Sequence, residues 1–129
     1  MGQTGKMCMH KVLIVEDDLD FLQILERRLQ EYNFEVMSAL DTFQATQVAH
    51  DKRPDIIILD LRLPGGGGVT ALKNLRLSAH TKDIPIIIST AAQDKVLKET
   101  ISQQGVSAYF EKPYEIQALI EKIKDILAE

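Results

Sequence analysis

The chain has 129 residues, 45% of them hydrophobic and 26% charged, with four prolines and seven glycines; these proportions fit one globular domain and exclude a disordered or collagen-like chain. A formal net charge of −4 removes the broad attraction to phosphate backbones that nonspecific nucleic-acid binding requires, so no direct nucleic-acid partner is expected. Cys8 is the single cysteine, which rules out an intramolecular disulfide, and no apolar run is long enough for a signal peptide or a membrane span; a cytoplasmic location with no membrane anchor is expected.

Residues 1–10 are polar apart from Met7, Cys8 and Met9 and read as a flexible leader, with one domain over 11–129. Val12-Leu13-Ile14-Val15 is a short β-branched run, stopped by Glu16-Asp17-Asp18, as in a buried strand that ends at an acidic loop. The period then changes: Leu22, Leu25 and Leu29, with Phe21 and Ile24 beside them, recur at helical spacing, and Asp18 or Asp20 suits the cap. The alternation continues with a strand over Phe34–Ala39, a helix over Thr42–His50, a buried strand over Ile56–Asp60, and a helix over Val69–Leu77 entered through Gly65–Gly68. Ile84–Ser89 follows as a strand, Asp94–Gln104 as a helix stopped by Gly105, and Val106–Phe110 as a fifth strand. Ile116–Leu127 closes the chain as a helix with Ile116, Leu119, Ile120, Ile123 and Leu127 on one face. Five strand–helix units with apolar strands imply an α/β fold, a doubly wound parallel sheet covered by helices on both faces. Ligands in such sheets sit beyond the carboxyl ends of the strands.

At those ends the sequence places Glu16-Asp17 after the first strand, Asp60 at the third, Ser89-Thr90 at the fourth and Lys112-Pro113 after the fifth. Helix capping accounts for Asp18 or Asp20, but not for Asp60, whose neighbours across the central strands are themselves acidic. Two carboxylates about 4 Å apart repel by roughly 4 kcal/mol at an effective dielectric near 20. Lys112 offsets one charge, and a hard divalent ion with oxygen ligands answers the others; Mg²⁺ suits a site of few carboxylates that also receives a phosphoryl oxygen. Asp60 is then the candidate nucleophile, with the lysine ammonium and the threonine hydroxyl stabilising the charge that develops.

Val15-Glu16-Asp17, Asp60 with Pro64 four residues on and Gly68 eight on, Ser89-Thr90-Ala91, and Lys112-Pro113 together resemble the response-regulator receiver family of two-component signalling, over nearly the whole chain from Lys11. The resemblance implies a flavodoxin-like (βα)5 domain with strand order 2-1-3-4-5. It implies Asp60 as phosphoacceptor, Asp17 as direct Mg²⁺ ligand, Glu16 as ligand through water, and the backbone carbonyl of Arg62 completing the protein ligands. Thr90 matches the switch hydroxyl, Lys112 the phosphate-binding lysine and Tyr109 the switch aromatic, and the bond before Pro113 is implied to be cis. The implied input partner is a sensor histidine kinase or phosphotransfer protein. The implied output is an effector protein or a second copy, met by the surface of residues 94–127. The protein is then a signalling switch that catalyses only its own phosphorylation and dephosphorylation.

One departure from the family pattern is Gly65-Gly66-Gly67-Gly68, which leaves no side chains of its own to fix the loop and predicts mobility beside the site. It is no nucleotide-binding loop, since it follows the third strand and lacks the G-x-x-x-x-G-K-[ST] order. Two rival readings fail on residues. A phosphatase of the haloacid-dehalogenase type needs a second Asp two positions after the nucleophile, where Arg62 stands, and a guanidinium cannot shuttle protons near neutral pH. A flavin-phosphate site wants a glycine- and hydroxyl-rich cradle after the first strand, where Glu16-Asp17-Asp18 would repel the phosphate. His10, His50 and His80 are far apart in sequence, show no metal-ligand spacing and read as surface residues. The residues leave open whether the chain acts alone or belongs to a longer transcription factor, hybrid kinase or cyclic-nucleotide enzyme.

Overall fold

The computed structural model describes residues 9–65, 67–91 and 95–128; most of the expected leader, Gly66 and the expected helix start at Asp94 lie outside them. Ten elements alternate without exception: β1 (Lys11–Val15), α1 (Leu19–Glu31), β2 (Glu35–Ala39), α2 (Thr42–Lys52), β3 (Ile56–Leu59), α3 (Gly67–Leu77), β4 (Ile86–Thr90), α4 (Lys95–Ser102), β5 (Ala108–Glu111) and α5 (Ile116–Leu127). The strands form one parallel sheet in the order β2-β1-β3-β4-β5. None of the helices is long and apolar enough to cross a membrane, among the described residues.

Successive strand residues point to opposite faces, so the β-branched runs feed two separate cores. Leu13, Val15, Ile57, Leu59, Ile86 and Ile88 meet Ala45 and Ala49 of α2, Ala71, Leu72 and Leu75 of α3, and Ile101 of α4. On the opposite face Val12, Ile14, Ile56, Ile58 and Ile87 meet Leu22, Leu25 and Leu29 of α1 and Leu119, Ile120 and Ile123 of α5. Burial on both faces is why these strands are apolar throughout instead of alternating with polar residues.

Acids set the starts of α1 and α2. The Asp18 carboxylate accepts from the amides of Asp20 and Phe21 at 3.1 and 3.3 Å, and the Asp41 carboxylate accepts from the Gln44 amide at 2.7 Å. Each such cap contributes on the order of 1 kcal/mol. Asp18, not Asp20, is therefore the α1 cap.

The element boundaries differ from the sequence expectation where packing overrides local pattern. Phe34 lies outside β2, turned into the core after Asn33, whose φ is 67°. β4 begins at Ile86 rather than Ile84 and runs on to Thr90, and β5 begins at Ala108 rather than Val106, because these are the positions that find ladder partners on the neighbouring strand.

The glycine run leads directly into a helix. Gly67 and Gly68 are the first residues of α3, and the loop before them is anchored from outside: the Thr42 hydroxyl donates to the carbonyls of Pro64 and Gly67 at 3.2 and 2.9 Å. The Gly68 amide donates to the Leu61 carbonyl at 2.8 Å. Leu61 and Leu63 of the loop are buried in the core, and Thr42 of α2 adds hydrogen bonds to its backbone.

Candidate functional site

The parallel register brings Val15 beside Leu59, and Leu59 beside Ile88, so the residues that follow these positions emerge together at the carboxyl edge of the sheet. Hydrogen bonds continue the ladder past the strands: Glu16 N–H to Ala39 O at 3.0 Å, Asp60 N–H to Val15 O at 3.0 Å, and Lys112 N–H to Thr90 O at 2.8 Å. Glu16, Asp60 and Lys112 are thus fixed at their backbones before any side chain interacts. The order of the strands reverses between β1 and β3, the switch point at which open α/β sheets bind ligands.

Glu16 and Asp60 are buried, at 2% and 5% exposure, and Asp17 is exposed. Carboxylate oxygens of the three lie within 4.8 Å of one another. The Lys112 ammonium answers part of this charge, with Nζ 2.7 Å from Glu16 Oε1 and 3.4 Å from Asp60 Oδ2. The Arg62 amide donates to Asp60 Oδ1 at 3.1 Å, and the Asp18 amide donates to Glu16 Oε2 at 3.1 Å.

Burial, reinforced by the charge of Asp60, holds the Glu16 carboxyl above its ordinary value despite the hydrogen bond from Lys112. For Lys112, burial works to lower the ammonium's value, but the hydrogen bond from its Nζ to Glu16 and the charge of Asp60 leave it raised. One lysine therefore leaves the cluster short of positive charge. Three hard oxygen donors within reach of a single ion, two of them buried, fit a divalent cation of the Mg²⁺ type.

The other residues singled out in the sequence fall around this cluster. Thr90 is the last residue of β4 and fully buried, and the Lys112–Pro113 bond is cis. Tyr109 lies on β5, half-buried against the core under α2–α4, with the Lys98 ammonium of α4 4.8 Å from its ring centroid. Burial and the charge of Glu111 push its phenol up. Arg62 is exposed, two residues beyond Asp60.

The structure adds neighbours that sequence reasoning missed. Tyr114 OH lies 2.6 Å from Ser89 Oγ, and the Phe21 ring lies 4.4 Å under the Lys112 ammonium. The strand alternation that turns Ser89 away from Thr90 was a usable signal; the meeting of residues 89 and 114 was not. His50 and His80 are exposed as expected, but their rings meet edge to face at 4.7 Å.

The family model of the response regulator receiver domain matches residues 12–124. The transcriptional regulatory protein PrrA of Mycobacterium tuberculosis is 34% identical over 117 residues, which are 91% of this chain and 49% of that protein. The phosphate regulon transcriptional regulatory protein PhoB of Escherichia coli is 29% identical over 117 residues, 91% of this chain and 51% of that protein. The chain thus spans about half the length of these curated relatives. Among solved structures, a putative response regulator from Chloroflexus aurantiacus superposes with a TM-score of 0.85 at 36% identity, covering 94% of this chain and 99% of that one. The receiver domain of the sensor histidine kinase PA1611 from Pseudomonas aeruginosa, which has a magnesium ion coordinated in its active site cleft, superposes with a TM-score of 0.83 at 28% identity, covering 92% and 97%.

Proposed function

Since the chain belongs to the response regulator receiver domain family, which serves as the signalling switch of two-component systems, we propose that Asp60 accepts a phosphoryl group in a Mg²⁺-dependent reaction. The observation that carries this reading is the cluster itself: Glu16, Asp17 and Asp60 within 4.8 Å of one another and a lysine reaching two of them.

Asp17 and Asp60 would hold Mg²⁺ directly, Glu16 through water, and Arg62 by its carbonyl; the ion would neutralise charge on the phosphoryl oxygens. Asp60 is presented for attack by the Arg62 amide on Oδ1. A carboxylate oxygen bonds to phosphorus while the P–N bond of a phosphohistidine breaks, and the imidazole leaves with the electron pair and takes a proton from solvent. Lys112 pairs with the transferred group, and Thr90 donates its hydroxyl to a phosphoryl oxygen. Arg62 supplies no general acid or base, so the phosphoaspartate is a signal that decays slowly and not a turnover intermediate.

The donor is a sensor histidine kinase or phosphotransfer protein of the cytoplasm. On the output side, movement of Thr90 toward the phosphoryl group opens space for Tyr109, which already contacts both the core and Lys98 of α4. The α4–β5–α5 surface then changes shape for an effector protein or a second copy, without direct contact with nucleic acid. A domain over 11–129 is part of this reading.

The test is incubation with acetyl phosphate and Mg²⁺, followed by mass mapping. A single adduct on Asp60, lost in Asp60→Asn and in excess chelator, is expected. An adduct that survives either change refutes the assignment.

A further inference from the structure

Lysine has a four-carbon stem with many rotamers, so an ammonium that must meet a phosphoryl group at one place needs something to choose among them. The chain supplies that choice in an aromatic wall on the α1/α5 side of the site. The Lys112 ammonium lies 4.4 Å from the Phe21 ring centroid, over a face that attracts cations. Tyr114 meets Phe21 edge-on at 6.1 Å and 87°, and packs on Phe110 at 5.2 Å.

The segment that carries the lysine is gripped at two points by the end of β4. The Lys112 amide donates to the Thr90 carbonyl at 2.8 Å, and two residues on, Tyr114 OH and Ser89 Oγ are hydrogen-bonded at 2.6 Å. Neighbours on a strand point to opposite faces, so the second grip comes from the side away from the Thr90 side chain. A phenylalanine at 114 would fill the same wall without this bond. Burial and the nearby charges of Glu16 and Asp60 push the Tyr114 phenol up to about 12, so its proton is retained at working pH.

We propose that Tyr114, latched to Ser89, and Phe21 are positioning residues for Lys112, fixing its ammonium over Glu16 and Asp60 and thereby setting the rate at which Asp60 is phosphorylated. The proposal rests on the phosphoryl-transfer reading of the site.

Its test is a double-mutant cycle on the full chain, with uptake from acetyl phosphate at saturating Mg²⁺ as the rate and thermal melts as the check on folding. Tyr114→Phe and Ser89→Ala each delete one half of the latch and keep the packing. Each should slow uptake by about fivefold, the worth of one neutral hydrogen bond, and the double variant should be no slower than either single one. In a Lys112→Ala background, Tyr114→Phe should have no further effect. A wild-type rate in Tyr114→Phe overturns the proposal, as does a loss of equal size with and without Lys112, which would make Tyr114 a support of the fold alone. Where the wild-type chain itself takes up no phosphoryl group, the reading of the site has failed. The Lys112 Cε and Nζ resonances, compared between wild type and Tyr114→Phe, then decide the positioning alone: displacement supports it, and unchanged resonances overturn it.

Discussion

A methyl group at Gly68 would stand 2.3 Å from the Asp60 carbonyl oxygen and 2.4 Å from Leu61 Cα. Both are backbone atoms at the site, and neither can swing aside. Gly68→Ala should therefore cost about 1–3 kcal/mol, as overpacking does, read as a lowered urea midpoint at unchanged slope, and it should also slow Asp60 phosphorylation because the displaced backbone is that of Asp60. This pressure was illegible in the sequence, since a glycine needed for freedom and a glycine needed for closeness look the same in one dimension. The acids and Lys112 were legible for the opposite reason: each follows an apolar run, and parallel strands bring such positions to one edge. The Ser89–Tyr114 bond joins residues 25 apart with no periodic pattern to announce it.

At the scale of elements, Arg76 ties α3 to its surroundings. Its guanidinium donates to the carbonyls of Gln104 at 2.9 Å, Lys82 at 3.0 Å, Ile84 at 2.9 Å and Gly105 at 3.3 Å, which bind the entry to β4 to the turn after α4. Burial, partly opposed by Asp83, lowers its value, yet a guanidinium stays charged across the stable range of a protein. Arg76→Ala should destabilise the fold by about 2–3 kcal/mol in urea unfolding. Arg76→Lys should recover little of it, because a point ammonium cannot serve a fan of four acceptors. The helix itself was legible in the sequence over Val69–Leu77. The arginine was not, because a charged residue on an amphipathic helix reads as solvent-facing until the neighbouring turns are in place.

For the molecule as a whole, the acidic edge is short of positive charge, which a divalent ion would supply. An ion that binds the folded chain alone and is present at about tenfold its dissociation constant stabilises by about 1.4 kcal/mol, roughly 5 °C in Tm for a domain of this size. Mg²⁺ should raise Tm by this order, chelation should reverse it, and Asp17→Asn should abolish most of it; a melt that ignores Mg²⁺ in the wild type would refute the binding. The fold was legible at this scale because the sequence switches period nine times across ten elements, and strand order followed from the family resemblance. The two-core arrangement has a further consequence. Ile56, Ile58 and Ile87 lie on one side of the sheet and Ile57, Ile86 and Ile88 on the other, so isotope labelling of isoleucine methyl groups alone places separate reporters in each half. A beryllofluoride adduct at Asp60 that disturbs Ile57, Ile86 and Ile88 while leaving Ile56, Ile58 and Ile87 at rest would trace the signal to the α2–α4 side, and the reverse pattern would trace it to the side of α1 and α5.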